Sequence, residues 1–445
     1  MAFREAGRGC FVRGVAREPR LVRWIGVGKH QRRSYGILSE SGNHFARPMA
    51  QQGDGLVRGS PVAGMTPAVL RWARESANMS VDEVARRLKK TADLVSAWEV
   101  GSDAPTYSQL ETLAYDIYKR PLALFFLPAH PDESRPRAEF RSLPDADLAN
   151  ISRETTLLIR KARAFQLALV ELHGDRNPVP APIWRQIHLD PRRDAPRQAA
   201  GIRELLDVKV DDIRKLPSAD AALKDWRRAI ERNGVHVFKD TFKQSEFSGF
   251  SLWHPEFPVI LINNSTTKTR QIFSLMHELA HVLCDRNGIS RFDDEGIENL
   301  PPADRAIERS CNALAAEILV PMKDLIAASR NVSPQNATDE QFGALAVRFH
   351  VSRSVILRRF VERGMVTVDF YLAKDREWAE QRRKGEPGGN YYATQGTYIS
   401  EQFLREVVSR YARRQLTKAE AADLLGVKPR NFDRFEDLVL RGAAA

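Results

Sequence analysis

The sequence predicts a multidomain, mainly α protein: an N-terminal helix-turn-helix bundle, an α+β domain around a small sheet, and a C-terminal helical region. Three observations carry this. A chain of 445 residues with 43% hydrophobic content exceeds what one core usually organises, so two or three domains are expected. Apolar residues recur at helical spacing through long stretches of the chain. That spacing gives way to three short runs of branched and aromatic residues at Val235–Lys239, Gly249–Trp253 and Pro258–Asn263, which read as strands. No apolar run approaches the length of a membrane span.

Residues 1–64 are rich in Arg, Gly and Ser without periodicity and read as a disordered basic tail. They hold 11 Lys and Arg against 4 Asp and Glu, so most of the net charge of +11 lies there. The rest of the chain is only weakly basic. The tail would bind nucleic acid, or it is sequence upstream of a later start at Met49 or Met65; the second reading is preferred. Arg32-Arg33 is not followed by an apolar segment, so no export signal is expected. The three cysteines, Cys10, Cys284 and Cys311, make no disulfide framework, which fits a reducing cytoplasm.

Residues 65–128 change character. Thr66-Pro67 opens a helix that includes Trp72, and Ser80 with Glu83 forms a capping box before the next. A third helix runs from Ala92 through Trp98-Glu99 until Gly101 and Pro105 end it, and a fourth starts at Tyr107. Two short helices joined by a tight turn within a bundle make a helix-turn-helix. With Trp98-Glu99 and Leu110-x-x-Leu113-Ala114 as anchors, the stretch resembles Xre/Cro-type repressor domains. That resemblance implies double-stranded DNA as a partner. Thr91, Asp93 and Ser96 would reach bases in the major groove, and Arg87, Lys89 and Lys90 would meet phosphates. The helix from Ala92 has no Lys or Arg of its own and carries Asp93. A protein-interaction module that keeps the fold without the DNA contact therefore stays open.

Residues 129–224 read as linker and bracing helices. Prolines mark the linker from Pro128 to Arg137, a helix rich in Arg and Lys spans Ile151 to Leu172, and further helices follow from residue 200.

The chemistry lies in residues 225–365. Thr267 to Asp285 contains no Gly or Pro and carries His277-Glu278-x-x-His281. On a helix, residues four apart stack on one face, so both imidazoles can share one ion, while Leu275, Leu279, Val282 and Leu283 form the apolar back. Glu278 would lie where it can take a proton from a metal-activated water. Catalytic zinc usually takes three protein ligands and keeps an open position. The helix bounded by Pro302 and Pro321 offers Glu308 and Glu317, which project to opposite sides. Glu308 borders the apolar stripe of Ile307, Cys311, Leu314 and Ile318 and is the expected third ligand; Glu317 is expected in solvent. Asn312, one turn beyond Glu308, would hold a ligand histidine by its far ring nitrogen. Cys284 and Cys311 read as small packing residues between the two helices.

The pairing of His277-Glu278-x-x-His281 with Glu308-x-x-x-Asn312-x-x-Ala-Ala-Glu-Ile-Leu-Val-Pro321 resembles the ImmA/IrrE family of metallopeptidases. So does the lead-in through Ile260-Leu-Ile-Asn263-Asn264 and Arg270-Gln-Ile-Phe. Ser274-Leu-Met departs from the more usual Thr-Leu-Ala. The resemblance implies a zincin-like fold, a Zn²⁺ cofactor and cleavage of a protein substrate, often a repressor; an antitoxin-like protein is the other substrate expected. The alternatives are a DNA-binding regulator whose peptidase-like domain senses with little turnover, and an antitoxin-like partner of a neighbouring gene product. A peptide would add to a sheet edge, for which Gly249–Trp253 is the candidate. His236 and His254 are candidates for oxyanion stabilisation, though each is more often an ordinary polar residue.

Residues 366–445 form the C-terminal helical region, which contains a flexible hinge at Lys384–Asn390. Two more helix–turn–helix patterns appear, at residues 341–359 and 416–435; contact with DNA is one reading of them, and helical packing around the peptidase with a C-terminal partner-binding unit is the expected role.

Overall fold

The architecture was read from a computed structural model, which describes residues 59–131, 151–244, 246–291, 297, 300–383 and 398–443. Residues 1–58 of the basic tail, with Cys10, Arg32-Arg33 and Met49, lie outside the described residues, as do the linker beyond Pro131 and the hinge at 384–390.

The N-terminal bundle comprises α1 (Pro67–Ser76), α2 (Val81–Leu88), α3 (Ala92–Val100) and α4 (Tyr107–Glu111), which runs on in wider π-helical turns through Tyr118. Its boundaries follow local chemistry. Ser80 and Glu83 complete the capping box of α2, Lys89 closes it in a left-handed conformation, and the Thr91 hydroxyl accepts from Leu94 N–H to start α3. Leu70, Trp72, Val84, Val95, Trp98 and Leu110 fill the core. Glu99 is buried, and Arg74 donates to both its oxygens at 2.7 and 2.8 Å.

The predicted brace is α5 (Arg153–His173), which touches both neighbours. On one side Arg153 donates to the Asp116 carbonyl at 2.8 Å and Arg160 to that of Tyr118 at 3.0 Å. On the other, Gln166 donates to the carbonyls of Leu252 and Phe257 at 2.9 and 3.1 Å, and Lys161 pairs with Asp240 at 2.8 Å. These guanidinium and amide contacts satisfy carbonyls that the π-helix and the sheet leave open.

After α6 (Ala195–Leu205) and α7 (Ala219–Arg232) come β1 (His236–Asp240), β2 (Phe247–Leu252), β3 (Val259–Asn263), α8 (Lys268–Val282) and β4 (Gly288–Arg291). The sheet order is β1-β3-β2-β4, with β1 parallel to β3 and β2 antiparallel to both β3 and β4. Side chains alternate across it. Val237, Ile260 and Ile262 join the core under α7 and α8, whereas Phe238, Phe250 and Leu261 join Phe165 and Phe403 on the other face.

Two expectations need correction here. Gly249–Trp253 is no sheet edge: β2 lies inside the sheet, and β4, which the sequence did not reveal, forms the edge beyond it. A four-residue strand that opens on Gly288 straight after the turn at Asp285 is too short to show alternation. Glu317, expected in solvent, is buried. On α9 (Pro302–Leu319) it does project away from Glu308, but into an ion pair with Arg359.

Arg359 belongs to α11 (Arg353–Glu362), which follows α10 (Asp339–Phe349) and is covered by α12 (Val368–Arg383) through Ser354 to Asp375 and Arg353 to Gln381. The chain closes with α13 (Glu401–Ala412), α14 (Lys418–Leu424) and α15 (Phe432–Ala443), packed on the phenylalanine face of the core. Among the described residues no helix is long and apolar enough to cross a membrane.

Candidate metal centre

Thr267 caps α8 by accepting from Arg270 N–H, and Leu275, Leu279 and Val282 anchor its back in the core. The helix thereby turns His277 and His281 to one side, with their Nε2 atoms 3.0 Å apart. From α9, Glu308 places Oε2 3.2 Å from His277 Nε2 and Oε1 3.3 Å from His281 Nε2. All three residues are buried. Donors about 2.1 Å from a tetrahedral ion stand roughly 3.4 Å from each other, so this spacing fits a single metal. Among the described residues these three form a group able to hold a metal ion.

The donor set itself fits a cation. Asn312 Oδ1 lies 2.7 Å from His277 Nδ1, so Nδ1 carries the proton and Nε2 turns its lone pair into the cluster. There it faces a second ring nitrogen and a carboxylate. Burial alone would lower the pKa of His281, but the Glu308 charge and hydrogen bond raise it to about 9. Burial alone would raise Glu308, but the two histidines hold it well below the usual carboxylate range. Both shifts reflect the attraction between the Glu308 carboxylate and the two imidazoles.

Glu278 is fully buried beside the cluster. The Ser290 hydroxyl donates to its Oε1, while Oε2 has no hydrogen-bond partner among the described residues. A buried carboxylate oxygen without a partner is costly and marks a place where a proton donor is expected. Ser290 comes from β4, and so does a second support. A Cβ on Gly288 would fall 2.3 Å from Cγ and Cδ2 of His281, so only glycine lets the strand backbone lie against that ring. Gly288 and Ser290 are two apart and share one face of the strand. Sequence reasoning missed both; a Gly-x-Ser spacing shortly after the histidine helix was the one signal present.

The remaining candidates lie elsewhere. His236 sits on β1, at the far edge of the sheet from β4, with Nδ1 3.2 Å from Ser400 Oγ, and burial pushes its pKa down to about 3. His254 Nδ1 accepts from the backbone N–H groups of Glu256 and Phe257 and closes a turn. Neither joins the cluster. Cys284 and Cys311 contact each other between α8 and α9 and stand outside the His-His-Glu group. On the N-terminal bundle Lys89, Lys90, Thr91, Asp93 and Ser96 are all exposed along α3 and the turn before it. Arg87 instead lies 3.5 Å from Glu154 on the brace.

Comparison with known proteins agrees with this division. Residues 230–361 match the IrrE N-terminal-like domain, and residues 70–114 match a helix-turn-helix model. A stretch of 140 residues is 34% identical to the radiation response metalloprotease IrrE of Deinococcus radiodurans. It spans 30% of this chain and 40% of that relative. The chain therefore joins an Xre-type helix-turn-helix domain to an IrrE-like domain of the metallopeptidase type, the ImmA/IrrE architecture with an N-terminal helix-turn-helix.

Proposed function

We propose that the chain is a zinc-dependent endopeptidase that cuts a repressor or antitoxin-like regulatory protein and docks on double-stranded DNA through α3. The observation that carries the reading is the convergence of His277, His281 and Glu308 beside a buried Glu278 oxygen that has no partner among the described residues. In this reading His277, His281 and Glu308 hold the ion and Asn312 fixes the tautomer of His277. Zn²⁺ bound there supplies Lewis acidity for polarising the scissile carbonyl and acidifying a water. Glu278 Oε2 takes the proton as the water oxygen bonds to the carbonyl carbon, and returns it to the amide nitrogen as the C–N bond breaks. The β4 edge, which carries Ser290 toward Glu278, offers backbone groups for an extended peptide. Lys89 and Lys90 would meet phosphates while Thr91, Asp93 and Ser96 approach bases.

The purified chain, incubated with the regulator encoded beside its own gene, is expected to release fragments in the presence of Zn²⁺ and none after chelation. Equal cleavage by the metal-free protein would rule the reading out.

Ser290 has a role of its own in this scheme. Its hydroxyl occupies Oε1 and so leaves Oε2 to take the proton. Ser290→Ala is expected to lower kcat about 10- to 100-fold, the usual range for groups that orient a metal site, with bound zinc retained. Ser290→Thr should recover part of the loss. A kcat for the alanine variant equal to wild type would remove Ser290 from the mechanism.

A further inference from the structure

The last three helices repeat the first three. Ser80 to Glu99 and Thr417 to Glu436 align without a gap, sharing Glu83 with Glu420, Ala85 with Ala422, Leu88 with Leu425 and Glu99 with Glu436. Each unit opens on a complete capping box, Ser80 with Glu83 and Thr417 with Glu420. Each first helix starts one residue after its cap, at Val81 and Lys418. Each turn passes through a left-handed residue at the same position, Lys89 with φ 56° and Gly426 with φ 66°. Helical structure resumes at matching positions, Ala92 and Pro429. The inward residues also match: Val84, Ala85, Val95 and Trp98 are buried in one unit, and Ala421, Ala422, Phe432 and Phe435 in the other. A supporting helix of similar length precedes each pair, α1 in the first case and α13 in the second.

Residues 338–362 carry the same turn, with His350 left-handed and Ser352 as cap. There, however, α12 lies against α11 through Ser354 to Asp375 and Arg353 to Gln381, so its second helix is covered. In the C-terminal unit the corresponding positions are open. Pro429, Arg430, Asp433 and Arg434 are exposed and Lys428 is half-buried. These occupy the places of Ala92, Asp93, Ser96, Ala97 and Thr91 in the N-terminal unit, so the C-terminal face is the more basic of the two. Exposed Arg413 and Arg414 stand in the turn before α14. Of the nearby acids, Glu420 caps the Thr417 N–H and Asp433 pairs with Lys418 at 2.6 Å. Lys428, Arg430, Arg413 and Arg414 form no ion pair with any described residue.

We propose that α14 and α15 form a second helix-turn-helix that binds double-stranded DNA. In it the start of α15 enters the major groove, and Lys428, Arg430, Arg413 and Arg414 meet phosphates. Two features support this occupant: caps, turn and buried positions that match those of the N-terminal unit, and four cations, Lys428, Arg430, Arg413 and Arg414, that form no ion pair with any described residue. The chain would then hold DNA at both ends with the peptidase domain between them. This inference does not depend on the metal centre.

Binding of the full chain to a fluorescein-labelled duplex of mixed sequence, followed by anisotropy across a salt series, tests it. Each phosphate contact contributes about 0.9 to the slope of log K against log salt. The variant with Lys428→Ala and Arg430→Ala is expected to lower that slope by about 1 to 2 and weaken binding at low salt. The same loss is expected when Lys89 and Lys90 have already been replaced by Ala. A second pair, Arg413→Ala with Arg414→Ala, should act in the same direction; both pairs should melt like wild type and retain proteolysis. Unchanged slope and affinity in both pairs would overturn the proposal. So would equal competition by the single strand of the same sequence.

Discussion

Under the proposed mechanism, Glu278→Gln is expected to keep the bound metal and lose about 10²- to 10⁴-fold in turnover, the range attributed to a positioned general base. The substitution is nearly isosteric. Its amide oxygen can still accept from the Ser290 hydroxyl, so the side chain stays in place. What changes is the other terminal atom: Oε2, which accepts a proton, becomes an NH₂ group, which only donates. His277, His281 and Glu308 are untouched, so metal content by elemental analysis should equal wild type. The protein should also melt within about 1 kcal/mol of it, since the buried negative charge is removed without a cavity. The decisive comparison is cleavage rate per bound zinc. A variant that cuts as fast as the parent would assign the proton to some other group.

Much of this site could be read in advance because its parts follow helical periodicity. His277 and His281 are four apart, Glu308 and Asn312 are four apart, and each pair is bounded by clear helix starts at Thr267 and Pro302. Helix geometry turns such spacing directly into a shared face. The residues that were missed belong to β4. Four residues cannot display a period, and the glycine that starts the strand matters through a close approach to His281 that only three dimensions reveal. The two strand candidates that mattered most, β2 and β3, were visible as apolar runs, but a run does not state its neighbours. The place of β2 inside the sheet depends on pairing with β4 across the whole of α8. Glu317 shows the opposite limit. Periodicity gave its direction correctly, away from Glu308, but said nothing about Arg359 forty-two residues later waiting on that side.

That pair yields the second large effect. Arg359→Met is expected to destabilise the chain by about 3–5 kcal/mol, because it leaves the Glu317 carboxylate buried without its partner. The arginine does more than neutralise charge. It also donates to the Val320 carbonyl at 3.2 Å, at the end of α9, and reaches Glu362 on its own helix. Losing it frees the C-terminal turn of the helix whose middle carries Glu308. A weakened hold on the metal proposed for this site should therefore accompany the lower stability. The double substitution, Arg359→Met with Glu317→Leu, removes both charges and should recover much of the loss, since apolar replacements of a buried pair are often neutral or better. Urea titrations of the two variants and the parent make the measurement. If the single substitution falls within about 1 kcal/mol of wild type, Glu317 has another way to discharge its buried charge, and α9 is held by its apolar stripe alone.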